Sequence, residues 1–151
     1  MKLQIIVALT SLSVILVTAS AEEANTYRLA VSLYQQCSDD TVGQRLAFKI
    51  REGLNQSTSM VAVDSYNDSV VRVSLVCLSP DIQDRGSVSK YSYQITLWNF
   101  KGYYDFALTH GVGTCGSQRV AECAEGIVAA IDSAVSELRV RLQEGSFKWP
   151  N

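Results

Sequence analysis

Period-two alternation runs through "TYRLAVSLYQQ", where Tyr27, Leu29, Val31 and Leu33 fall on one side and Arg28, Ser32 and Gln36 on the other. This is the pattern of a strand with one buried face. The period then changes. After Ser38-Asp39-Asp40, a run of N-cap candidates, "TVGQRLAFKIREGLNQ" carries Val42, Leu46, Ile50 and Leu54 at every fourth position, which predicts an amphipathic helix. β-Branched residues dominate "SMVAVDS" and "SVVRVSLVCL", and a turn at Tyr66-Asn67-Asp68 lies between them, so the two read as a hairpin closed by Pro80 and followed by the loop "SPDIQDRGS". Alternation resumes in "KYSYQITLWNF", with Tyr91, Tyr93, Ile95 and Leu97 opposed to Ser92, Gln94, Thr96 and Trp98. A turn at Lys101-Gly102 leads to "YYDFALT", whose apolar side is Tyr104, Phe106 and Leu108, giving a second hairpin. From Ser117, a natural N-cap, Val120, Ala124, Ile127, Ile131, Ala134 and Leu138 recur at spacings of three and four as far as Leu142, and Gly145 stands where a helix-ending glycine belongs.

The predicted order is therefore β-α-β-β-β-β-α. Each strand has one apolar and one mixed face, and only two helices are available to cover them. The economical arrangement is an α+β two-layer sandwich, a mainly antiparallel five-stranded sheet built as a meander with both helices on one face. The other face of the sheet is left open.

Ahead of this pattern, "MKLQIIVALTSLSVILVTASA" joins the basic Lys2 to an apolar stretch from Ile5 to Val17 and then to Ala19-Ser20-Ala21. Those are the three regions of a secretory signal peptide, with cleavage expected after Ala21, and the apolar stretch is short for a membrane span. No cysteine follows it closely enough for a lipid anchor, the first being Cys37. Residues 1–21 are thus expected to be a signal peptide and residues 22–151 a single domain, in the periplasm or secreted. Without Lys2, Lys plus Arg number 12 against 15 Asp plus Glu, and the basic residues are scattered, so no stripe for nucleic acid exists and no stable membrane span follows the signal.

The four cysteines, Cys37, Cys77, Cys115 and Cys123, suit an oxidising compartment and two disulfides. The favoured pairing of the three possible is Cys115–Cys123, pinning the start of the last helix, with Cys37–Cys77. A meander creates a difficulty for the second bridge. If the first strand runs antiparallel to the strand carrying Cys77, the two cysteines sit at opposite ends of the sheet, beyond the Cα separation of about 4.4–6.8 Å that a disulfide spans. No C-x-x-C occurs and the single histidine, His110, cannot complete a finger, so no metal is expected.

Gly111-Val-Gly113-Thr-Cys-Gly116 matches the dinucleotide pattern G-x-G-x-x-G. That fingerprint needs a further strand and an acidic residue about 20 positions on, and here only the last helix follows. The glycines are expected to turn a corner from strand to helix, and no cofactor is assigned. His110 and Cys115 would form a base and nucleophile only if Cys115 were free. Asp64 and Asp68 flank a turn, and Asp81 and Asp84 lie in a loop, without a partner base. The chain is read as non-enzymatic.

On the open face, the alternation places Tyr34, Trp98, Phe100 and Tyr103 among Arg28, Arg72, Gln94 and Thr96. Aromatic rings and arginine on a polar field are the composition of protein-binding patches, so these residues are the candidate partner site; the competing expectation is ordinary scattered surface residues, some of them covered by the tail aromatics Phe147 and Trp149 folding back. The alternative is a small-ligand protein or enzyme with a pocket between sheet and loops. The element order, with "DDTVGQRLAFKIREGLNQSTSMVAVD" following the first strand, resembles small periplasmic α/β domains: the amino-terminal domain of TolB and the lipoprotein activators of penicillin-binding proteins. It departs from the activators in lacking a lipid-anchor cysteine and from TolB in lacking a propeller. The resemblance implies an envelope protein that works by binding other proteins.

Overall fold

A computed structural model describes residues 28–80, 87–99 and 104–145. The expected signal peptide, Phe100, Tyr103, Asp81 and Asp84 lie outside the described residues. The elements are β1 (Leu29–Gln36), α1 (Thr41–Gln56), β2 (Met60–Val63), β3 (Val71–Leu78), β4 (Val88–Asn99), β5 (Tyr104–Gly116) and α2 (Val120–Gln143). Their order along the chain is the one the alternation predicts, and the class is α+β with a five-stranded sheet and two helices.

The sheet is mixed rather than mainly antiparallel, in the spatial order β2-β1-β3-β4-β5. The expected hairpin of β2 with β3 does not form. β1 lies between them and pairs in parallel with both, Leu29 opposite Met60 on one side and Val31 opposite Val71 on the other. The cause is the helix between β1 and β2. A helical crossover returns the chain to the end where it started, so the next strand must run parallel to the first. The connection from β2 to β3 then passes over the end of β1. Ser69 in that connection shares a buried 2.8 Å hydrogen bond with Ser32 of β1, and the Val70 amide donates to the Ala30 carbonyl. The remaining pairs, β3 with β4 and β4 with β5, are antiparallel as expected.

Parallel pairing of β1 with β3 removes the difficulty over the cysteines. Cys37 follows β1 and Cys77 lies near the end of β3, so both stand at the same end of the sheet, bonded with Cα atoms 4.7 Å apart. Cys115 of β5 is bonded to Cys123 of α2. These two bridges fit a chain from an extracytoplasmic compartment.

Both helices cover one face. Val31, Leu46, Ile50, Leu75, Ile95, Ile127 and Ile131 are among the fully buried side chains there. α1 begins at Asp40, whose Oδ1 accepts from the Gly43 amide at 2.9 Å, an N-cap that the acidic pair announces. Gly43 has no room for a side chain, because a Cβ there would lie 2.5 Å from Cys77 Cβ and 2.7 Å from its Sγ. The helix therefore starts directly on the Cys37–Cys77 bridge. α2 begins at Val120, three residues beyond Ser117. The Cys123 amide bonds back to the Arg119 carbonyl, so Ser117 lies in the preceding turn and is not the cap. Gly145 follows the helix with φ +64°, a left-handed terminator.

The glycine run is not a corner. Gly111 and Gly113 are interior to β5, opposite Tyr93 and Tyr91 of β4. Added Cβ atoms at these glycines would come within 2.5 Å of the Tyr93 and Tyr91 rings respectively. The two tyrosines stack, with centroids 6.5 Å apart, and lie across the bare backbone of the neighbouring strand. Strand glycines covered by cross-strand aromatic rings need no left-handed conformation; what they supply is the absent side chain. Burial pushes the Tyr91 hydroxyl above the ordinary phenol range, and Tyr93 beside it adds to the rise.

Two expectations follow. Alanine in a helix normally stabilises relative to glycine by about 1 kcal/mol. Gly126→Ala in α2, where nothing lies within 4 Å, should show that gain, whereas Gly43→Ala should lower stability because the disulfide beneath it has no freedom to move. Urea denaturation of the two variants checks the opposite signs. The raised Tyr91 pKa means that the unfolded chain loses its phenolic proton first as pH rises. This contribution is therefore fully present below about pH 10 and lost as pH climbs through the folded value. Tyr91→Phe should show a shallower loss of stability than the wild type as pH rises above about 10.

Candidate interaction surface

The sheet face opposite the helices is ordered in rows by the strand register. Tyr34, Ser74, Gln94 and His110 form one row, and Gln36, Val76, Ser92 and Val112 the next. Leu78, Lys90 and Thr114 lie beyond them. Most of these side chains reach solvent: Tyr34 is 54 % exposed, Leu78 66 % and Val112 82 %. No element among the described residues covers them. The sequence alternation assigns Tyr34 and Gln94 to this face, but it misses Leu78 and Val112. Val112 was hidden because its glycine neighbours resemble a turn, although the period of two running on from His110 marks it.

At the other end of the face, β3 supplies Arg72, the candidate partner residue whose surroundings differ most from expectation. Its side chain is 2 % exposed. The guanidinium lies between two rings, 3.4 Å from the Tyr66 centroid and 3.7 Å from that of Trp98. One terminal nitrogen donates to Asp105 Oδ1 at 3.1 Å and the other to the Tyr66 carbonyl at 2.9 Å, while Nε has no hydrogen-bond partner. The Tyr66 hydroxyl donates to Asp105 Oδ2 at 3.3 Å. Burying a guanidinium costs several kcal/mol of hydration, which the carboxylate, the carbonyl and two ring faces together offset. Arg72 and Trp98 thus fasten the β2–β3 connection to the sheet. Neither stands free on the surface.

Arg28, also a candidate, is exposed but held by backbone. Its Nε donates to the Met60 carbonyl and a terminal nitrogen to the Asn55 carbonyl, both at 2.8 Å. The second bond places a cation on the last turn of α1, where the helix dipole favours it. Tyr34 keeps its ring in solvent and accepts a 3.2 Å bond from Gln36.

His110 and Cys115 do not meet. His110 is opposite Gln94 on the open face, whereas Cys115 is opposite Ser89, buried on the helix side and bonded to Cys123. Among the described residues no three His, Cys, Asp or Glu side chains gather as metal ligands. No helix among them is long and apolar enough to cross a membrane. A groove of about 490 Å³ lies between β5 and α2, lined by Phe106, Leu108, Ala134 and Leu138 together with the ion pair of Glu137 and Arg141.

What the fold and surface define is a small disulfide-bonded α+β domain whose second sheet face is largely exposed among the described residues. No protein-family model matches the chain and no curated protein does. Among solved structures, it is similar to a subunit of the PelC dodecamer from Paraburkholderia phytofirmans at 12 % identity and a TM-score of 0.42, over 72 % of this chain and 86 % of that one. It is also similar to the hypothetical protein CT253 of Chlamydia trachomatis at 8 % identity and a TM-score of 0.38, over 78 % and 97 % of the two chains. Scores of this size carry no inference about function.

Because Trp98 covers a buried guanidinium, Trp98→Ala should destabilise the domain. The expected loss is about 2 kcal/mol, the upper range for a desolvated cation–ring contact. Measured by chemical denaturation, Tyr34→Ala should change stability by less than about 0.5 kcal/mol, as for an exposed site.

Proposed function

We propose that this chain is an exported, non-enzymatic module that binds another protein through the open sheet face. The observation that carries this reading is the presence of Tyr34, Leu78 and Val112, each exposed on the same sheet face among Ser, Thr, Gln and His110, with Lys90 as the one lysine of those rows. Exposed aromatic and aliphatic groups with few charges are the composition of an interface centre. The two disulfides and the expected signal at residues 1–21 support export, to the periplasm or beyond the cell. The resemblance in element order to TolB-type and activator-type envelope domains points to the same kind of work. Tyr34 keeps its place in the site. Arg72 and Trp98 shape one end of the face, and Arg28 braces the edge beside α1.

A second reading has its own observation. The groove between β5 and α2 is large enough for a small ligand and has apolar walls with one ion pair. Cross-linking the exported chain in the fraction where it resides, beside a thermal-shift screen of small molecules, separates the two. Under the interface reading, Val112→Glu abolishes the cross-linked species and leaves unfolding unchanged. A small molecule that raises the melting temperature by several degrees, with cross-links indifferent to Val112, would instead favour the groove.

A further inference from the structure

We infer that the groove between β5 and α2 is the docking site of this chain's own residues 146–150, with Phe147 and Trp149 seated between its walls. Both aromatic residues lie outside the described residues, and the open face has no part in the contact. Three features of the molecule select this occupant: where α2 ends, how far the following residues reach, and what the groove offers them.

α2 runs back along β5. It starts at the Cys115–Cys123 bridge and brings Leu138 and Arg141 to the level of Phe106 and Leu108, near the beginning of that strand. Gly145 stands four, seven and eleven residues beyond Arg141, Leu138 and Ala134, spacings that keep to one face of a helix. Those three residues line the groove, so the chain leaves α2 directly above it. With φ +64° at Gly145 the helix stops, and the next residues turn away from its axis.

From Ala130 to Arg141, the helix wall of the groove is about 16 Å long at a rise of 1.5 Å per residue. Residues 146–150, extended at about 3.3 Å each, cover about the same length. Phe147 and Trp149 then project to one side and Lys148 to the other, placing both rings between the walls, about 7 and 13 Å beyond Gly145. The open face is out of reach. Val112 lies about 20 Å along β5 from Phe106 and on the opposite side of the sheet.

The walls are apolar, Phe106 and Leu108 from β5 and Ala134 and Leu138 from α2, around a volume of about 490 Å³. Aromatic side chains gain more than any others from entering such a space. Arg141, held by Glu137 in the same lining, adds a cation of the kind that ring faces favour. A segment joined directly to the end of α2 also competes at an effective concentration in the millimolar range, so a free ligand must displace it.

Methyl NMR of the exported chain with both disulfides formed reads the position of the two rings. Phe147→Ala and Trp149→Ala should each move the methyl signals of Leu108, Ala134 and Leu138 as ring-current shifts are lost, while the Val112 methyls stay in place and circular dichroism is unchanged. Fluorescence gives a second measure, the Trp149 emission being taken as the difference between each protein and its Trp149→Phe counterpart. Ala134→Glu, which puts a carboxylate on the helix wall, should make Trp149 several-fold more accessible to acrylamide, and Val112→Glu should leave it shielded. Groove methyls indifferent to both aromatic substitutions, or shifts that appear at Val112 instead, overturn the inference. A Trp149 as open to acrylamide in the wild type as in Ala134→Glu overturns it as well.

Discussion

The Cys37–Cys77 bridge fixes the end of β1 to the end of β3 at the point where α1 begins. Much of the architecture depends on it. A bond between the ends of two neighbouring strands is compatible with a parallel pair, and α1 must then carry the chain back to start β2 on the far side of β1. Gly43 lets the first turn of that helix rest on the sulfur atoms, and Asp40 caps it from a buried position. Helix, strand ends and disulfide form one unit, and the second bridge ties α2 to β5 in a similar way. With both helices held on one side, the part of the opposite face beyond the β2–β3 connection is left exposed among the described residues.

Two packing devices shape that face, one upon it and one behind it. Arg72 is drawn into the stack of Tyr66, Trp98 and Asp105, so a residue that composition marks as a binding cation instead holds the β2–β3 connection. Its positive charge is neutralised locally, which leaves the middle of the face nearly uncharged. On the helix side, Tyr91 and Tyr93 lie over Gly113 and Gly111 and pack against the core. β5 can therefore continue as a strand to Gly116, carrying His110, Val112 and Thr114 onto the open face. A chemically suggestive motif thus has a packing explanation, and the candidate surface gains its most exposed aliphatic residue from the same stretch.

The sequence by itself determined the number, type and order of the elements, the run of cap candidates ahead of α1, the glycine stop after α2 and which residues of β4 face the helices. Each of these is local, set by periodicity and by capping chemistry within a few residues. It also placed Tyr34 and Gln94 on the open face, since alternation records the side of the sheet a residue takes. Alternation is blind to the direction and neighbour of a strand, because a parallel and an antiparallel partner demand the same pattern of two. Only the tertiary structure decided that β1 enters between β2 and β3. Only there do Tyr66, Arg72, Trp98 and Asp105, scattered along the chain, become one cluster, and only the rings of Tyr91 and Tyr93 distinguish a glycine needed for space from one needed for a turn. Those outcomes turn on which groups distant in sequence arrive side by side, and no local preference encodes that.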